Sequence, residues 1–318
     1  MNLHQNPSPF NWSGRKSDQI EYWHQAIQPV ANLKIKDDSN KKVGILGYSS
    51  EEGVIRNQGR TGTIEGPAVI RKMLGSVALH LPENLPVYDY GDVFTLDQDM
   101  ESAHELISKT SYELLETEHL PVILGGGHDV AYAHGKGVMK YVKEKGEKLG
   151  IINLDAHFDL RLPSKGKGHS GSPFYQLAEE NPADFNYLAL GIQRAANPKS
   201  LFDTAEKLKA RYIVMEEFRL HNWEYIEEQI SWFIDSVDKI YLSIDLDGFS
   251  SAFAPGVSAP SPMGFNPQIA FKVFELIVKS KKFISLDVVE LNPQFDQDNA
   301  TARLAARSIE YIVRKAFS

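Results

Sequence analysis

The sequence contains no cysteine among its 318 residues. This absence excludes disulfides, cysteine-ligated zinc, iron–sulfur clusters and a thiol nucleophile. A metal site in this chain would have to use histidine, aspartate or glutamate, and those ligands suit hard or borderline ions such as Mn²⁺ or Mg²⁺. Composition alone therefore restricts a metal centre in this chain to nitrogen and oxygen ligands.

Long hydrophobic runs and an excess of basic residues are also missing. No stretch approaches the roughly 18 consecutive apolar residues of a membrane span. The opening segment MNLHQNPSPFNWSGRK lacks the apolar core of a signal peptide. With 34 Lys and Arg against 42 Asp and Glu, the formal charge is −8, which argues against nucleic-acid binding through a basic face. We therefore expect a cytoplasmic protein that binds neither nucleic acid nor membranes.

Short runs rich in β-branched residues recur along the chain and predict the strands of an α/β protein. Several are apolar nearly throughout, as is typical of parallel strands that are covered on both faces. The runs begin at Val43, Val87, Pro121, Leu149, Tyr187, Arg211, Lys239 and Phe283. Segments with helical periodicity lie between them, notably 96–116, 222–236 and 267–280, and this alternation indicates βαβ units. We predict one domain over residues 1–318, with the more polar residues 1–40 packed on its outside as an extension.

Histidines and acids directly follow four of these strands. They are His128, then Asp155, His157 and Asp159, then Asp245 and Asp247, and finally Glu290. Residues two apart in extended chain point the same way, and ligands of open α/β sheets gather at the carboxyl ends of the strands. We therefore expect these side chains to converge at one edge of the sheet.

Several carboxylates cannot share a partly desolvated crevice without a counter-charge. Bound divalent cations supply that charge, and six nitrogen or oxygen ligands without sulfur fit a two-metal site that activates water. Taken singly, a histidine after a glycine-rich turn is often structural, and an aspartate at a strand end is often a helix N-cap. Their joint occurrence on several strand ends favours the metal site.

Three segments carry these residues: LGGGHD, NLDAHFDLR and SIDLDGFSSAFAPGVSAPSPMG. They resemble the signature regions of the ureohydrolase family, which comprises arginases, agmatinases and formimidoylglutamases. GTIEGPAVIRKML is similar to the family's EGP-xx-IR segment, and LDVVELNP is similar to its DIVEVNP segment. The resemblance covers the chain from about Val43 onward.

This resemblance implies a three-layer α/β/α sandwich around a mostly parallel sheet of about eight strands. It also implies two Mn²⁺ ions per subunit and, by family expectation, a trimer or hexamer. The ligands of the two ions would be His128, Asp155, His157, Asp159, Asp245 and Asp247.

The resemblance implies three catalytic roles as well. Asp159 would orient the attacking hydroxide and could pass its proton to the departing nitrogen. Glu290 would pair with the cationic NH₂ group of the substrate, and His169, in KGKGHSGSPF, would act as a proton shuttle. The alternative is that Glu290 is an exposed acid ending a strand and that His169 is an exposed loop histidine.

At four places the sequence differs from the arginase pattern and resembles formimidoylglutamases instead. Gly127 stands where arginases and agmatinases usually carry an aspartate, and Arg161 stands where arginases place an asparagine. The loop 191–198 has no acid to receive a free α-ammonium group. The segment 12–27, WSGRKSDQIEYWHQAI, resembles their WxGRxD…HQ stretch, although Trp12 and its neighbours could simply pack the segment onto the domain.

Together these departures imply hydrolysis of N-formimino-L-glutamate to L-glutamate and formamide, in histidine degradation. Arg161 could form a bidentate pair with a substrate carboxylate, or it could instead make an internal salt bridge. Asn57 and Arg60, on the loop VIRNQGRTGT, would be a second carboxylate contact, although such loops are commonly basic and solvated.

Three other functions stay open at this point. The chain could be another amidinohydrolase that acts on arginine, agmatine or a guanidino acid. It could be a catalytically silent family member that serves as a binding or regulatory subunit, although no metal ligand is missing. It could also be a single-metal deacylase on a related fold, which would not need both Asp245 and Asp247 together with Asp155 and Asp159.

Overall fold

The computed structural model describes residues 3–37 and 40–318. Within this part of the chain, ten strands belong to one sheet. They are β1 (His4–Gln5), β2 (Ile27–Pro29), β3 (Lys42–Ser49), β4 (Val87–Phe94), β5 (His119–Leu124), β6 (Leu149–Leu154), β7 (Asn186–Ile192), β8 (Arg211–Val214), β9 (Lys239–Asp245) and β10 (Phe283–Val289). The strand order is β1-β4-β3-β5-β10-β9-β6-β7-β8, and β2 pairs with β4.

The eight strands predicted from the apolar runs are all present, as β3 to β10. Their pairings with one another are parallel, so the prediction of a mostly parallel sheet of about eight strands is confirmed. The other two strands are short and lie in the N-terminal segment, where β2 pairs in parallel and β1 antiparallel with β4.

Helices connect the strands. The three helices predicted from periodicity are confirmed, and they span Met100–Glu116, Trp223–Asp235 and Pro267–Lys279. The helices are α1 (Trp23–Ala26), α2 (Glu52–Arg56), α3 (Gly66–Gly75), α4 (Met100–Glu116), α5 (Val130–Glu144), α6 (Pro173–Glu180), α7 (Lys199–Lys207), α8 (Trp223–Asp235), α9 (Pro267–Lys279) and α10 (Ala300–Ala316). Among the described residues, none of these helices is both long enough and apolar enough to cross a bilayer.

Apolar side chains of the parallel strands alternate between two cores, one on each face of the sheet. Ile240, Leu242 and Ile244 of β9 join the core formed with α3, α8, α9 and α10. Tyr241, between them, joins a core on the other face with α5 and α6, and α4 packs beside α5 on that face. The three layers are therefore helix, sheet and helix, as the family resemblance implies.

A buried ion-pair network fastens the N-terminal segment to the sheet edge. Arg71, in the EGP-xx-IR segment, is 1% exposed and contacts Asp89 at 2.9 Å and Asp92 at 2.7 Å. The indole of Trp12 donates to Asp89 at 2.7 Å, and Trp23 is completely buried. Both tryptophans therefore pack residues before 40 onto the domain, and this segment also supplies β1 and β2 to the sheet.

We expect Arg71→Met to destabilise the protein strongly. Removing the guanidinium leaves two buried carboxylates without their partner, and breaking a buried ion pair in this way costs about 3–5 kcal/mol. The free energy of unfolding, measured in urea, should fall by at least about 3 kcal/mol. The matched control is Lys109→Met, which removes the exposed partner of Glu113 and should change stability little. Equal stability of the two variants would contradict this role of Arg71.

Candidate metal centre

The six predicted metal ligands come from the carboxyl ends of β5, β9 and β6, and Glu290 comes from the end of β10. These four strands are neighbours in the sheet, in the order β5-β10-β9-β6. His128 follows β5 after three glycines, and Asp155 follows β6 directly. Asp245 is the last residue of β9, and Glu290 comes directly after β10. Because these strands are parallel, their carboxyl ends meet at one edge, where loop residues can converge.

A first cluster of possible ligands surrounds the imidazole of His128. Its Nδ1 atom lies 2.8 Å from Asp159 Oδ2 and 3.0 Å from Asp245 Oδ2. Asp155 Oδ2 lies 3.4 Å from the same nitrogen. These four side chains are buried, and their ligand atoms lie within 4.8 Å of one another, close enough to hold one metal ion.

A second cluster shares Asp155 with the first and adds His157 and Asp247. His157 Nδ1 lies 3.2 Å from Asp247 Oδ2 and 3.4 Å from Asp155 Oδ1. The predicted convergence is present, but it does not arise from extended chain, because residues 155–157 form a bend and Leu246–Gly248 forms a 3-10 helix. The structure thus brings all six predicted ligands together in two groups that have one carboxylate in common.

The proton affinities of these side chains reflect burial and mutual repulsion. Burial raises the pKa of Asp247 to about 6. Burial and the charge of Asp247 hold the pKa of Asp245 well above its usual range. Burial would lower the pKa of His128, but the adjacent aspartates, led by Asp155, raise it instead. Without cations, several of these carboxylates would therefore be partly neutralised by protons.

Two ligand atoms fit a bound cation because neither makes a hydrogen bond of good geometry, although carboxylates lie close to one of them. His128 Nδ1 and Asp247 Oδ1 are buried, and neither makes a hydrogen bond. An unpaired polar atom in the interior is costly unless something else satisfies it. Divalent metal ions, with oxygen and imidazole nitrogen as ligands, would satisfy both atoms and neutralise the carboxylates.

Backbone conformation also marks the site. Asp159 has φ of 51° and Glu290 has φ of 66°, and both values lie in the left-handed region that ordinary residues rarely adopt. Such strain is typical of functional sites, where the surrounding structure holds a side chain in a required direction. The close approach of Gly126 to Ser50, whose carbonyl oxygen would lie 1.9 Å from an added Cβ atom, explains the second of the three glycines before His128.

Glu290 is a buried residue of the site. It is 5% exposed, and its Oε1 accepts a hydrogen bond from the His128 backbone N–H at 2.8 Å. Burial, with repulsion from Asp247 as a smaller cause, raises its pKa to about 8. The alternative that this residue is an exposed acid at a strand end is therefore wrong.

Polar residues that the motifs did not single out hold the loop 155–159 in place. Asn197 Oδ1 accepts from the Phe158 N–H at 3.1 Å, and its Nδ2 donates to the Ala156 carbonyl at 2.8 Å. Asn153 Nδ2 donates to Asp155 Oδ2 at 3.0 Å. Asn153 lies two residues before Asp155, so the period of a strand was a signal that could have found it. Asn197 had no such signal.

A cavity of about 400 Å³ opens over the two clusters. This volume is typical of a small-molecule site. Besides the ligands His128, His157, Asp159, Asp245 and Asp247, its lining includes Glu290, Arg161, Asn57 and Ser170. Asn57 Nδ2 donates to Ser170 Oγ at 3.0 Å. Two of the three predicted substrate contacts, Arg161 and Asn57, therefore face the cavity.

Arg161 has an exposed side chain, and no carboxylate within residues 3–37 and 40–318 forms an ion pair with it. The alternative of an internal salt bridge is therefore wrong within the described chain. A guanidinium left unpaired at the rim of a cavity lined by four carboxylates is available to an anionic ligand.

Arg60 does not line this cavity, contrary to the prediction of a substrate contact. Its guanidinium donates to the carbonyls of Ser258 at 2.8 Å and Val257 at 2.7 Å. It also stacks on the ring of Phe295, with 3.9 Å between the guanidinium carbon and the ring centroid. Arg60 therefore ties two loops together, because it satisfies backbone carbonyls that would otherwise lack donors.

His169 is buried, not exposed, and it lines an adjoining cavity of about 390 Å³ that shares Arg161 and Asn57 with the first. Its Nδ1 accepts from the Gly171 N–H at 3.1 Å, so Nε2 carries the proton and lies 3.2 Å from the Leu162 carbonyl. Burial lowers its pKa. A proton-shuttle role would require Nε2 to leave Leu162, and this role stays a prediction.

The fold and the two clusters define a class of protein: a parallel α/β sandwich that has a candidate two-metal site at the carboxyl edge of its sheet. Comparison with known proteins gives the family. The model of the arginase family matches residues 41–314, and the chain belongs to this family. The resemblance inferred from the motifs is confirmed.

Relatives of known function are similar over nearly their whole length. A formimidoylglutamase of Rhodococcus opacus is 40% identical over 318 residues, covering 96% of this chain and 96% of its own. A formimidoylglutamase of Clostridium tetani is 36% identical, covering 93% and 91%. Among solved structures, that of a Trypanosoma cruzi formiminoglutamase with Mn²⁺ is similar, with a TM-score of 0.78 and 26% sequence identity. The match covers 89% of this chain and 96% of the Trypanosoma cruzi chain.

Proposed function

We propose that the protein hydrolyses N-formimino-L-glutamate to L-glutamate and formamide, a step of histidine degradation. The observation that carries the proposal is the placement of an unpaired Arg161 at the cavity over two clusters of metal ligands. Relatives at 36–40% identity over most of the chain are formimidoylglutamases, and they support the same substrate.

Two Mn²⁺ ions fit the ligands. One would be held by the cluster of His128, Asp155, Asp159 and Asp245, and the other by Asp155, His157 and Asp247. When bound, such ions supply a hydroxide at neutral pH and stabilise developing negative charge. The crystal structure of the Trypanosoma cruzi relative contains Mn²⁺, which supports this choice of metal.

Arg161 supplies the contact that selects the substrate. Its planar guanidinium can donate two parallel hydrogen bonds to one carboxylate. N-formimino-L-glutamate has two carboxylates and no free α-ammonium, because its α-nitrogen is part of the formimino group. The loop 191–198, which contains no acid, fits the missing ammonium. Asn57, beside Ser170 in the cavity wall, is placed to donate to an oxygen of the same substrate.

Three residues act on the reacting groups. Glu290, buried in the cavity lining, would receive the cationic nitrogen of the amidine, a charge that favours the ionised form of its carboxyl. Asp159 would accept a proton from the attacking water and pass it to the departing nitrogen. His169, from the adjoining cavity, would exchange the other proton of the attacking water with solvent. The amine of glutamate leaves as the tetrahedral intermediate collapses.

Cytoplasmic location and assembly into a trimer or hexamer stay predictions. The assembly is an expectation from the family resemblance. Gel filtration with light scattering would give the mass of the particle in solution, and a value of three or six subunits would bear out the family expectation.

The experiment that tests the function is a parallel assay of the Mn²⁺-loaded protein. N-Formimino-L-glutamate, arginine and agmatine are incubated separately with the enzyme, and released glutamate or urea is measured. We expect glutamate from the first substrate and no urea from the other two. Urea from arginine or agmatine would mean that the metal centre is active and that the role of Arg161 in substrate selection is wrong.

A further inference from the structure

A chain of buried hydrogen bonds leads from His128 into the core beneath the site. The imidazole Nε2 lies 2.9 Å from Ser243 Oγ, and that hydroxyl donates to Asp287 Oδ1 at 2.6 Å. Ser243 and Asp287 are completely buried. They are direct neighbours across β9 and β10, so the sheet itself fixes the distance between them.

The other oxygen of Asp287 is also occupied. Its Oδ2 accepts from the hydroxyl of Tyr241 and lies 2.8 Å from His134 Nδ1. His134 Nε2 lies 2.6 Å from Ser285 Oγ. These residues are completely buried. The hydroxyls of Tyr241 and Ser243 therefore donate to this carboxyl group, and an imidazole nitrogen of His134 lies within hydrogen-bond distance of it.

A buried aspartate in the core is not explained by stability alone. Replacing buried charged groups by well-packed apolar residues is often neutral or stabilising, and most residues of β9 and β10 around Asp287 are apolar. A buried charge with this many donors usually serves to fix the position or the protonation of another group. Here the hydrogen-bond chain ends at a candidate metal ligand.

The direction of the hydrogen bonds decides which nitrogen of His128 can bind a metal. A serine hydroxyl has one hydrogen, and Ser243 gives it to Asp287 because a carboxylate cannot donate. Ser243 Oγ must therefore accept from His128 Nε2, which carries a proton. The lone pair of the neutral imidazole is then on Nδ1, the atom that lies beside Asp159 and Asp245.

We propose that Asp287 is a positioning residue for the metal centre, acting through Ser243 to fix the tautomer and the ring orientation of His128. The proposal rests on the proposed use of His128 as a metal ligand, and it concerns only the first cluster. The second cluster of Asp155, His157 and Asp247 does not contain His128. Loss of Asp287 should therefore weaken the binding of one ion of two.

The test is a calorimetric titration of metal-free protein with Mn²⁺, which needs no substrate. Asp287→Asn and Ser243→Ala should each weaken the binding of one ion about 10- to 100-fold, the range found when a partner of a ligating histidine is removed. The other ion should bind with unchanged affinity. Because metal binding is the readout, a wrong assignment of the substrate would not affect the result.

A double-mutant cycle separates an effect through Ser243 from a general effect on the fold. If Asp287 acts through Ser243, the variant with both substitutions should lose no more affinity than Ser243→Ala alone. The matched control is Ser285→Ala, which removes an equally buried hydroxyl that contacts His134 on the same pair of strands. This control should bind both ions normally.

Several results would overturn the proposal. One is unchanged affinity for both ions in Ser243→Ala, and another is equal weakening of both ions in that variant. A third is a loss of affinity in Ser285→Ala as large as that in Ser243→Ala. Additive losses in the double variant would show that Asp287 does not act through Ser243. If Asp287→Asn fails to fold, Ser243→Ala and Ser285→Ala still test the proposal, since both of these variants keep Asp287.

Discussion

Asp247→Ala should retain one Mn²⁺ ion and lose the other. The second cluster has three members, and removing Asp247 leaves only Asp155 and His157, whereas the four members of the first cluster remain. A site that needs both ions to activate water should then lose most of its activity. We expect turnover of N-formimino-L-glutamate to fall on the order of 10³-fold or more, as when a principal source of transition-state stabilisation is removed.

The same substitution should not destabilise the metal-free protein. Burial raises the pKa of Asp247 to about 6, so folding favours the protonated carboxyl. A group of this kind reduces stability as the pH rises above the unfolded pKa, because the charged form must be kept in the interior. At pH 7 the alanine variant should therefore unfold at the same temperature as the metal-free parent, or at a higher one. Added Mn²⁺ should stabilise the variant less than the parent.

Metal content after dialysis and thermal unfolding with and without Mn²⁺ measure these effects. The control is Asp184→Asn, which removes an exposed carboxylate paired with Lys143 just before β7, away from the carboxyl edge of the sheet. This variant should keep two ions and full activity. Retention of two tightly bound ions in Asp247→Ala would show that the second cluster has been assigned wrongly.

The metal ligands could be predicted from the sequence because two simple regularities act together. Acids and histidines recur at a spacing of two residues after β6 and β9, and this pattern identified Asp155, His157, Asp245 and Asp247. Parallel strands end at a common edge, so ligands from β5, β6 and β9 meet there. The chain after β6 and β9 is bent or 3-10 helical and not extended, so alternation did not predict how these ligands divide between the two clusters.

Arg60 and Arg161 show where such prediction ends. Both are arginines close to glycines in loops near the site, and composition does not distinguish them. What separates them is a contact between Arg60 and the carbonyls of Val257 and Ser258, about two hundred positions away in the chain. The Arg161 side chain makes no such contact with residues 3–37 and 40–318. Long-range partners of this kind depend on how loops pack, which local patterns do not specify.

The polar residues beneath the centre were missed for a different reason. Ser243 lies two residues before Asp245, and Asp287 lies two residues after Ser285, so the period of a strand could have marked both. That period does not show which side chains contact each other across strands. Their meaning depends on the register of β9 against β10, which pairs Ser243 with Asp287. The register became visible only in the structure.

The second large effect is expected for Arg161→Ala. In the free protein this guanidinium has no carboxylate partner among the described residues, so its removal should not unfold the chain or release the metals. In the substrate complex it would pair with a carboxylate that is largely withdrawn from water. Truncating one member of such a pair costs about 2–5 kcal/mol, and kcat/KM should fall roughly 30-fold to over 1,000-fold.

The Arg161→Lys variant separates the contribution of the planar guanidinium shape to substrate binding from the contribution of its charge. Lysine keeps the positive charge but cannot form two parallel hydrogen bonds, so kcat/KM for N-formimino-L-glutamate should lie between the parent and the alanine variant. A formimino compound without the distal carboxylate supplies a second comparison. If Arg161 binds the distal carboxylate, Arg161→Ala should hardly change the turnover of the compound that lacks this carboxylate.

Metal content decides between two explanations of a loss in Arg161→Ala. Arg161 lies at the rim of the cavity, and neither metal cluster includes it, so both Mn²⁺ ions should stay bound and the loss should depend on the substrate. If the ions are released, Arg161 supports the metal centre and the basis for substrate selection must be sought elsewhere, with Asn57 as the first residue to test. If both ions stay and the loss is the same for substrates with and without the distal carboxylate, Arg161 acts on the reacting amidine and does not recognise the distal acid.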